Sequence, residues 1–272
     1  MKKKRIDLLL VERGLAESRN RAQRLVMAGE VRVDGEMVHK SSMQVSEDAR
    51  VEVKQRPKYV SRGGYKLAAA IEAFQVSAVD KVCADVGAST GGFTDCLLQN
   101  GAVKVYAIDV GYGLLHWGLR QDDRVVVMER TNARYLDALP EQVDLVTIDA
   151  SFISLGLILP AVRGWFAGSG GQTIALIKPQ FEAGRKAAAV HAGVIKDDSV
   201  HKQVLEETLT KAKDIGFFPF GLIPSPILGP KGNVEFLVDL RLKSPVVPVD
   251  FDEMISQALM NKPTEPGAPD LS

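Results

Sequence analysis

The spacing of hydrophobic positions changes character along the chain. Between residues 5 and 15, Ile6, Leu9 and Leu10 form one apolar stripe among charges. The pattern stops at Gly14, which predicts a short helix. Ser18 then caps a second helix, "RNRAQRLVMA". Ala22, Leu25 and Val26 lie on one side of it, and Arg19, Asn20, Arg21, Gln23 and Arg24 on the other; Gly29 ends it. "VRVDGEMV" is two short alternating runs about Asp34-Gly35, a hairpin signal, and "ARVEVK" predicts one more strand.

"KQRPKYVSRGGYK" (54–66) is basic and broken by proline and glycine, and reads as a linker. From Tyr65 a helical pattern resumes through Leu67, Ala70, Ile71 and Phe74. Apolar runs at Val82–Val86, Val103–Asp109, Val125–Glu129, Val143–Asp149 and Thr173–Lys178 then predict strands, with helices between them. Such alternation predicts a doubly wound, mostly parallel α/β sheet. "NVEFLVDLRL" is a final strand with a short lead-in from "FFPFGLIPSPI", a spacing that suits an antiparallel pair at the sheet edge. Beyond Pro245 the tail is proline-rich and acidic. Phe251, Met254, Ile255, Ala258 and Leu259 predict a docked helix there, with disorder expected from about residue 262.

The length, 272 residues, leaves room for one large domain and a small one, and 46% hydrophobic with 25% charged residues is an ordinary globular composition. Two cysteines, Cys83 and Cys96, are too few for a disulfide framework, which points to a reduced, cytoplasmic protein. No apolar run approaches the ~20 residues that span a bilayer, and "MKKKRIDLLLVERG" makes a poor signal peptide. A net charge of zero hides an asymmetry: residues 1–66 hold 16 Lys and Arg against 9 Asp and Glu, and the rest 18 against 25. A basic module on an acidic body suggests a polyanion partner, with a merely solvated basic face as the other reading.

The small module resembles the S4 RNA-binding domain. The likeness rests on "RIDLLLVERGLAESRNRAQRLVMAGEVRVDG" followed by "KSSMQV", within residues 4–54. It implies binding of structured RNA, mainly at the backbone. Arg19, Arg21 and Arg24 of the basic helix, with Lys4, Arg5 and Lys40, are the contacts expected. Phosphate contacts supply affinity, and shape identifies folded RNA.

The stretch "CADVGASTGGFTD" (83–95) reads as a strand, a Gly-rich turn and a helix start. Gly87, Gly91 and Gly92 have the wrong spacing for a nicotinamide fold, and no G-K-[ST] of a P-loop is present. A strand with an acid, Asp85, followed by G-x-x-x-G-G is instead what S-adenosylmethionine methyltransferases use. Gly87, Ala88, Ser89, Gly91, Gly92 and Phe93 are expected to pass close to the cofactor. Asp109, at the end of the second strand, is placed to bind both ribose hydroxyls. Asn132, after the third strand, falls where adenine contacts are expected.

Beyond that turn the body resembles the FtsJ-type ribose 2′-O-methyltransferases, whose signature is a Lys–Asp–Lys–Glu tetrad. "SRGGYKL" supplies Lys66, "VTIDASF" Asp149, "ALIKPQFE" Lys178 and "NVEFLV" Glu235. With the S4-like module in front, residues 4–243 resemble the TlyA family. That implies an S4-like domain at 1–58, a Rossmann-like methyltransferase domain at 59–244 and an acidic tail at 245–272. It also implies S-adenosylmethionine as cofactor and methylation of ribosomal RNA at cytidine, in 23S and also 16S rRNA, with ribosomal RNA or ribosomal subunits as partner.

Asp149 and Lys178 end parallel strands at the carboxyl edge, where open α/β sheets bind ligands. Lys178 is the candidate for orienting or deprotonating the 2′-hydroxyl. A base role needs a neutral amine, which burial and a second cation favour and Asp149 opposes. Asp149 is better seen as fixing the lysine and tolerating the sulfonium. Glu235 sits in an apolar strand, where a carboxylate needs a lysine partner or an edge position facing water.

His39, His116, His191 and His201 are scattered and Cys83 and Cys96 lack ligand spacing, so no metal is expected. Trp117 and Trp165 are expected to pack. Residues 184–197 suit a substrate loop or a plain connection. A base methyltransferase is disfavoured by "DASF" after the fourth strand. A non-catalytic assembly factor is disfavoured by the intact tetrad. A membrane-lytic protein is disfavoured by the lack of a spanning or strongly amphipathic basic helix.

Overall fold

The computed structural model describes residues 2–54, 57–168, 170–183, 194–246 and 249–263. They divide between Pro57 and Lys58 into two compact units. In the first, β1 (Lys3–Arg5) leads into α1 (Ile6–Glu12). Next come α2 (Arg19–Met27), β2 (Val31–Val33), β3 (Glu36–Met37), β4 (Gln44–Ser46) and β5 (Val51–Val53). Ser18 caps α2 by accepting from Arg21 N at 3.2 Å. β2 and β3 turn through Asp34 (φ 51°) and Gly35 (φ 86°), the two left-handed residues that a tight hairpin needs. The apolar stripes of both helices meet Val31, Val38 and Val45 in one core. The β1–β4 pair was not among the expected strands; three residues carry too little alternation to read.

The second unit begins its regular structure at α3 (Gly63–Ala73). It continues with β6 (Val82–Val86), α4 (Gly92–Gln99), β7 (Lys104–Ile108), α5 (Trp117–Arg120) and β8 (Val125–Met128). Then come β9 (Leu145–Ile148), α6 (Leu155–Arg163), β10 (Gln172–Ile177), α7 (Pro179–Glu182) and α8 (Asp198–Ile215). It closes with β11 (Phe218–Pro224), β12 (Phe236–Arg241) and α9 (Phe251–Met260). The sheet order is β11-β12-β10-β9-β6-β7-β8. β10, β9, β6, β7 and β8 run parallel, and β12 is antiparallel to both of its neighbours.

Alternate residues of each strand enter opposite cores. Ala84, Val86, Val146, Ile148, Ala175 and Ile177 face α6 and α8; Cys83, Val105, Leu145, Ile174 and Leu176 face α3 and α4. Central strands apolar on both faces are what a sheet covered by helices requires. Burying each large aliphatic contributes roughly 1.5–3 kcal/mol.

The stretch expected as a lead-in is itself a seven-residue strand, β11. Its two prolines, Pro219 and Pro224, obscure it in the sequence and suit the edge, where a missing N–H goes unmissed. β12 therefore lies inside the sheet, so Glu235 at its start is not on an edge facing water. The tail helix, α9, docks by Ile255 and Ala258. Residues 264–272 lie outside the described residues.

Candidate active site

After β6 the chain turns through Gly87, Ser89 and Gly91, all at positive φ, before α4 begins at Gly92. Glycine is required at the first of these. At φ 79° a Cβ would stand 2.7 Å from the carbonyl oxygen of Asp149. This close passage presses the turn against the end of β9. The amides of Gly87 and Ala88 donate to Ile108 O. Asp109, just past β7, accepts from Ser89 N at 2.8 Å and from Gly111 N at 2.7 Å, one bond to each carboxylate oxygen. It thereby ties the turn to the β7 end. Asn132 is exposed after β8 and accepts from Arg134 N.

Asp85 is corrected. Its side chain is fully buried behind the turn, where it accepts from Thr94 Oγ1 at 2.7 Å and Thr147 Oγ1 at 3.1 Å. It joins β6, α4 and β9 rather than facing a ligand. Burial pushes its carboxyl up to about 7.

Lys66, Asp149, Lys178 and Glu235 come together from α3, β9, β10 and β12 in the wall of one cavity of about 510 Å³, which the turn also lines. They form two ion pairs. Lys66 Nζ lies 2.6 Å from Glu235 Oε2, and Lys178 Nζ lies 2.6 Å from Asp149 Oδ1. Lys66 and Lys178 are each 8% exposed and Glu235 1%, so each buried charge has an opposite partner. Lys178 also donates to Ser151 Oγ at 3.0 Å. Glu235 Oε1 is buried and, among the described residues, has no hydrogen-bond partner.

Sequence reasoning passed over several lining residues. Ser61, Arg62 and Gly63 line the cavity although they were read as linker. Tyr59 is buried, Val60 N donates to Asp95 Oδ2 at 2.8 Å and Gln99 Nε2 donates to Lys58 O, so residues 58–60 are fastened to α4. Ser151, Gly229 and Pro230 complete the wall, joined by contacts that no local motif announces. Phe152, directly after Ser151, is 89% exposed at φ 65° and holds its ring 4.8 Å from that of Phe181. A bulky residue at positive φ is a true outlier, of the sort that collects at functional sites.

In the first unit Arg24 and Lys40 are exposed and Arg21 is half-buried. Arg5 and Arg19 are corrected in part. Both guanidinium groups bind the fully buried Asp7, as does Gln23. The Arg5 hydrogen bond chiefly holds the Asp7 carboxyl well below the usual carboxylate range. Arg19 and Gln23 thereby hold α2 to α1, and Arg5 holds the end of β1 to α1. Lys4 pairs with Glu12 at 2.6 Å and Glu47 at 3.5 Å.

Trp165 is buried, whereas Trp117, expected to pack, is 74% exposed; α5 is a single turn that buries Leu119 instead. His201 packs in the core against Phe236. Burial pushes the Cys83 and Cys96 thiols up to about 12 and about 11. Among the described residues no group of three or more His, Cys, Asp or Glu is placed to hold a metal. His191 and most of the proposed loop, residues 184–193, lie outside the described residues.

Residues 59–242 match the model of the FtsJ-like methyltransferase family, and residues 4–51 that of the S4 domain. The chain is 50% identical over 244 residues to the Bacillus subtilis protein YqxC, covering 88% of this chain and 86% of that one. It is 45% identical over 244 residues to the 16S/23S rRNA (cytidine-2′-O)-methyltransferase TlyA of Mycobacterium tuberculosis, covering 88% and 90%. A solved structure from Streptococcus thermophilus matches at TM-score 0.69 and 44% identity, covering 95% of this chain and 96% of that one.

Proposed function

We propose that this chain, which belongs to the FtsJ-like methyltransferase family and carries an S4 domain ahead of that fold, methylates a ribose 2′-hydroxyl of ribosomal RNA. The observation that carries this reading is the convergence of two buried Lys–carboxylate pairs on one cavity beside the Gly87–Gly92 turn. The TlyA relative's activity makes cytidine the nucleotide to expect.

The residues present fit S-adenosylmethionine. The turn leaves no room for a Cβ at Gly87, and the cavity lies in the usual size range for small ligands, ~300–1,000 Å³. Gly87–Phe93 would hold the amino-acid end, Asp109 the ribose and Asn132 the adenine side. When bound, the cofactor supplies an electrophilic methyl group. The chain's part is to aim an oxygen at it in line. Lys178 Nζ contacts Asp149 Oδ1 at 2.6 Å and donates to Ser151 Oγ at 3.0 Å and to Asp149 O at 3.4 Å, and the ribose oxygen would take the place of that longest bond. The Asp149 carboxylate, 2.6 Å away, fixes the Lys178 head where it can orient the hydroxyl. Glu235 Oε1 is left to accept a hydrogen bond from the acceptor ribose. Arg62, in the same wall, suits an RNA phosphate.

No helix of the described residues is long and apolar enough to cross a membrane. The reading is tested by incubating the protein with ribosomal subunits and methyl-labelled cofactor. Label is expected on ribose 2′-oxygen, seen as a bond that resists alkaline cleavage; label on a base would overturn it.

Two variants extend the test. Asp109→Ala removes a charged acceptor and frees the turn from β7. Cofactor binding should weaken by ~1.5–3 kcal/mol in calorimetry, and unchanged affinity would take Asp109 out of the site. Phe152→Ala removes an exposed ring, next in the chain to Ser151 of the cavity wall, on which a flipped-out base can stack, an interaction worth ~1–3 kcal/mol. KM for ribosomal subunits should rise about tenfold while cofactor affinity holds; a KM equal to wild type would leave the ring without that role.

A further inference from the structure

We infer that Gly229 is a positioning residue for methyl transfer, keeping the Glu235 carboxylate on Lys66 by having no side chain of its own. The inference rests on the tetrad reading above. Gly229 precedes the short turn Pro230–Gly232 and lies in the cavity wall with Glu235. Its backbone, φ −71° and ψ −174°, is extended and open to any residue. Glycine is therefore not required there by the chain's conformation.

It is required by space. A Cβ on Gly229 would overlap Glu235 Oε1 and stand 2.5 Å from Glu235 Cδ, inside the 3.0 Å that real Cβ atoms essentially never cross. The atoms in the way are the end of a side chain, not backbone. A methyl group would thus be accommodated by swinging the carboxylate, with little cost to the fold. That swing is opposed by the 2.6 Å bond from Lys66 to Glu235 Oε2, and it moves Oε1, which has no hydrogen-bond partner among the described residues.

The surrounding loop is built to keep this register. Gly229 N donates to Asn233 O at 2.8 Å, Ser225 N donates to Glu235 O at 2.8 Å, and Asn233 Nδ2 donates to Pro230 O at 3.1 Å. The β11–β12 connection therefore presents Gly229 and Glu235 to each other as a matched pair: a full-length carboxylate on one side and an absent side chain on the other.

The test uses the full-length protein and ribosomal subunits, with four variants: Gly229→Ala, Glu235→Asp, the double variant and Glu235→Gln. Gly229→Ala should lower kcat about 100-fold, as misplacement by about 1 Å does. Cofactor affinity and thermal midpoint should stay near wild type. In the double variant the shorter Asp side chain restores the space, so kcat should rise at least tenfold above Gly229→Ala alone. A merely structural glycine would give no such rescue. If Gly229→Ala keeps kcat within threefold of wild type, or if the two losses simply multiply, the inference is overturned. Glu235→Gln separates the two levels: wild-type activity in that variant would overturn the tetrad reading itself.

Discussion

Lys178→Ala is expected to lower turnover by about 10³-fold, with cofactor and rRNA affinity nearly unchanged. Lys178 leaves β10 directly ahead of Pro179, which starts α7, so its backbone is set by the sheet on one side and the helix on the other. Its Nζ is held by Asp149 and Ser151, both in the segment that follows β9. An ammonium fixed in this way acts on the oxygen during transfer, and groups that act there change kcat rather than binding. A preorganised donor of this kind is worth ~10²–10³ in rate, and loss of in-line aim adds to that. Single-turnover methyl transfer is the measurement. Lys178→Arg should rescue poorly, because a planar guanidinium does not fit where a compact ammonium is almost wholly enclosed. The arginine variant also separates the two roles. If the lysine only orients the hydroxyl, the residual activity keeps the wild-type pH profile. If it is a base, the rise with pH disappears. Turnover close to wild type in Lys178→Ala would remove the tetrad from the mechanism.

Much of this site was legible because its parts sit at ends of strong local patterns. Asp149 and Lys178 each follow an uninterrupted apolar run, and strand ends on one edge of a parallel sheet are brought together by topology. Glu235 was legible as a costly charge, and its burial against Lys66 is the partner that this cost demands. Errors arose where a side chain's direction decides the role. Asp85 has the right place in the motif, but strand alternation turns it inward to Thr94 and Thr147. Arg5 and Arg19 look like free basic surface, yet a buried Asp7 sixteen residues from Gln23 recruits all three. Gly229 could not be read as an active-site residue, since its meaning is a distance to a side chain on the next strand. β11 was hidden by prolines that only an edge strand tolerates.

Removal of residues 1–57 is expected to abolish rRNA methylation while leaving cofactor binding intact. The first unit has its own core, from Ile6 to Val45, and among the described residues the division after Pro57 cuts no strand or helix of the second. Every residue of the cavity wall lies between Ser61 and Glu235. The truncated protein should therefore bind cofactor with unchanged affinity in calorimetry. What it loses is the basic module: the remainder of the chain is acidic, and an acidic body gains little from a polyanion. Truncated protein that still methylates ribosomal subunits at the wild-type rate would show the module to be dispensable. Point variants refine the test, and the structure dictates which to use. Charge reversal at Arg19 would unbalance the buried Asp7 and disturb α1 against α2, so lost binding there would not report on RNA. Arg24 and Lys40 are exposed and hold no such partner among the described contacts, so reversing them leaves the core alone. If both meet phosphates, the slope of log affinity against log salt should fall by about 2, close to one unit for each contact removed. A slope identical to wild type would place the RNA on another face of the module.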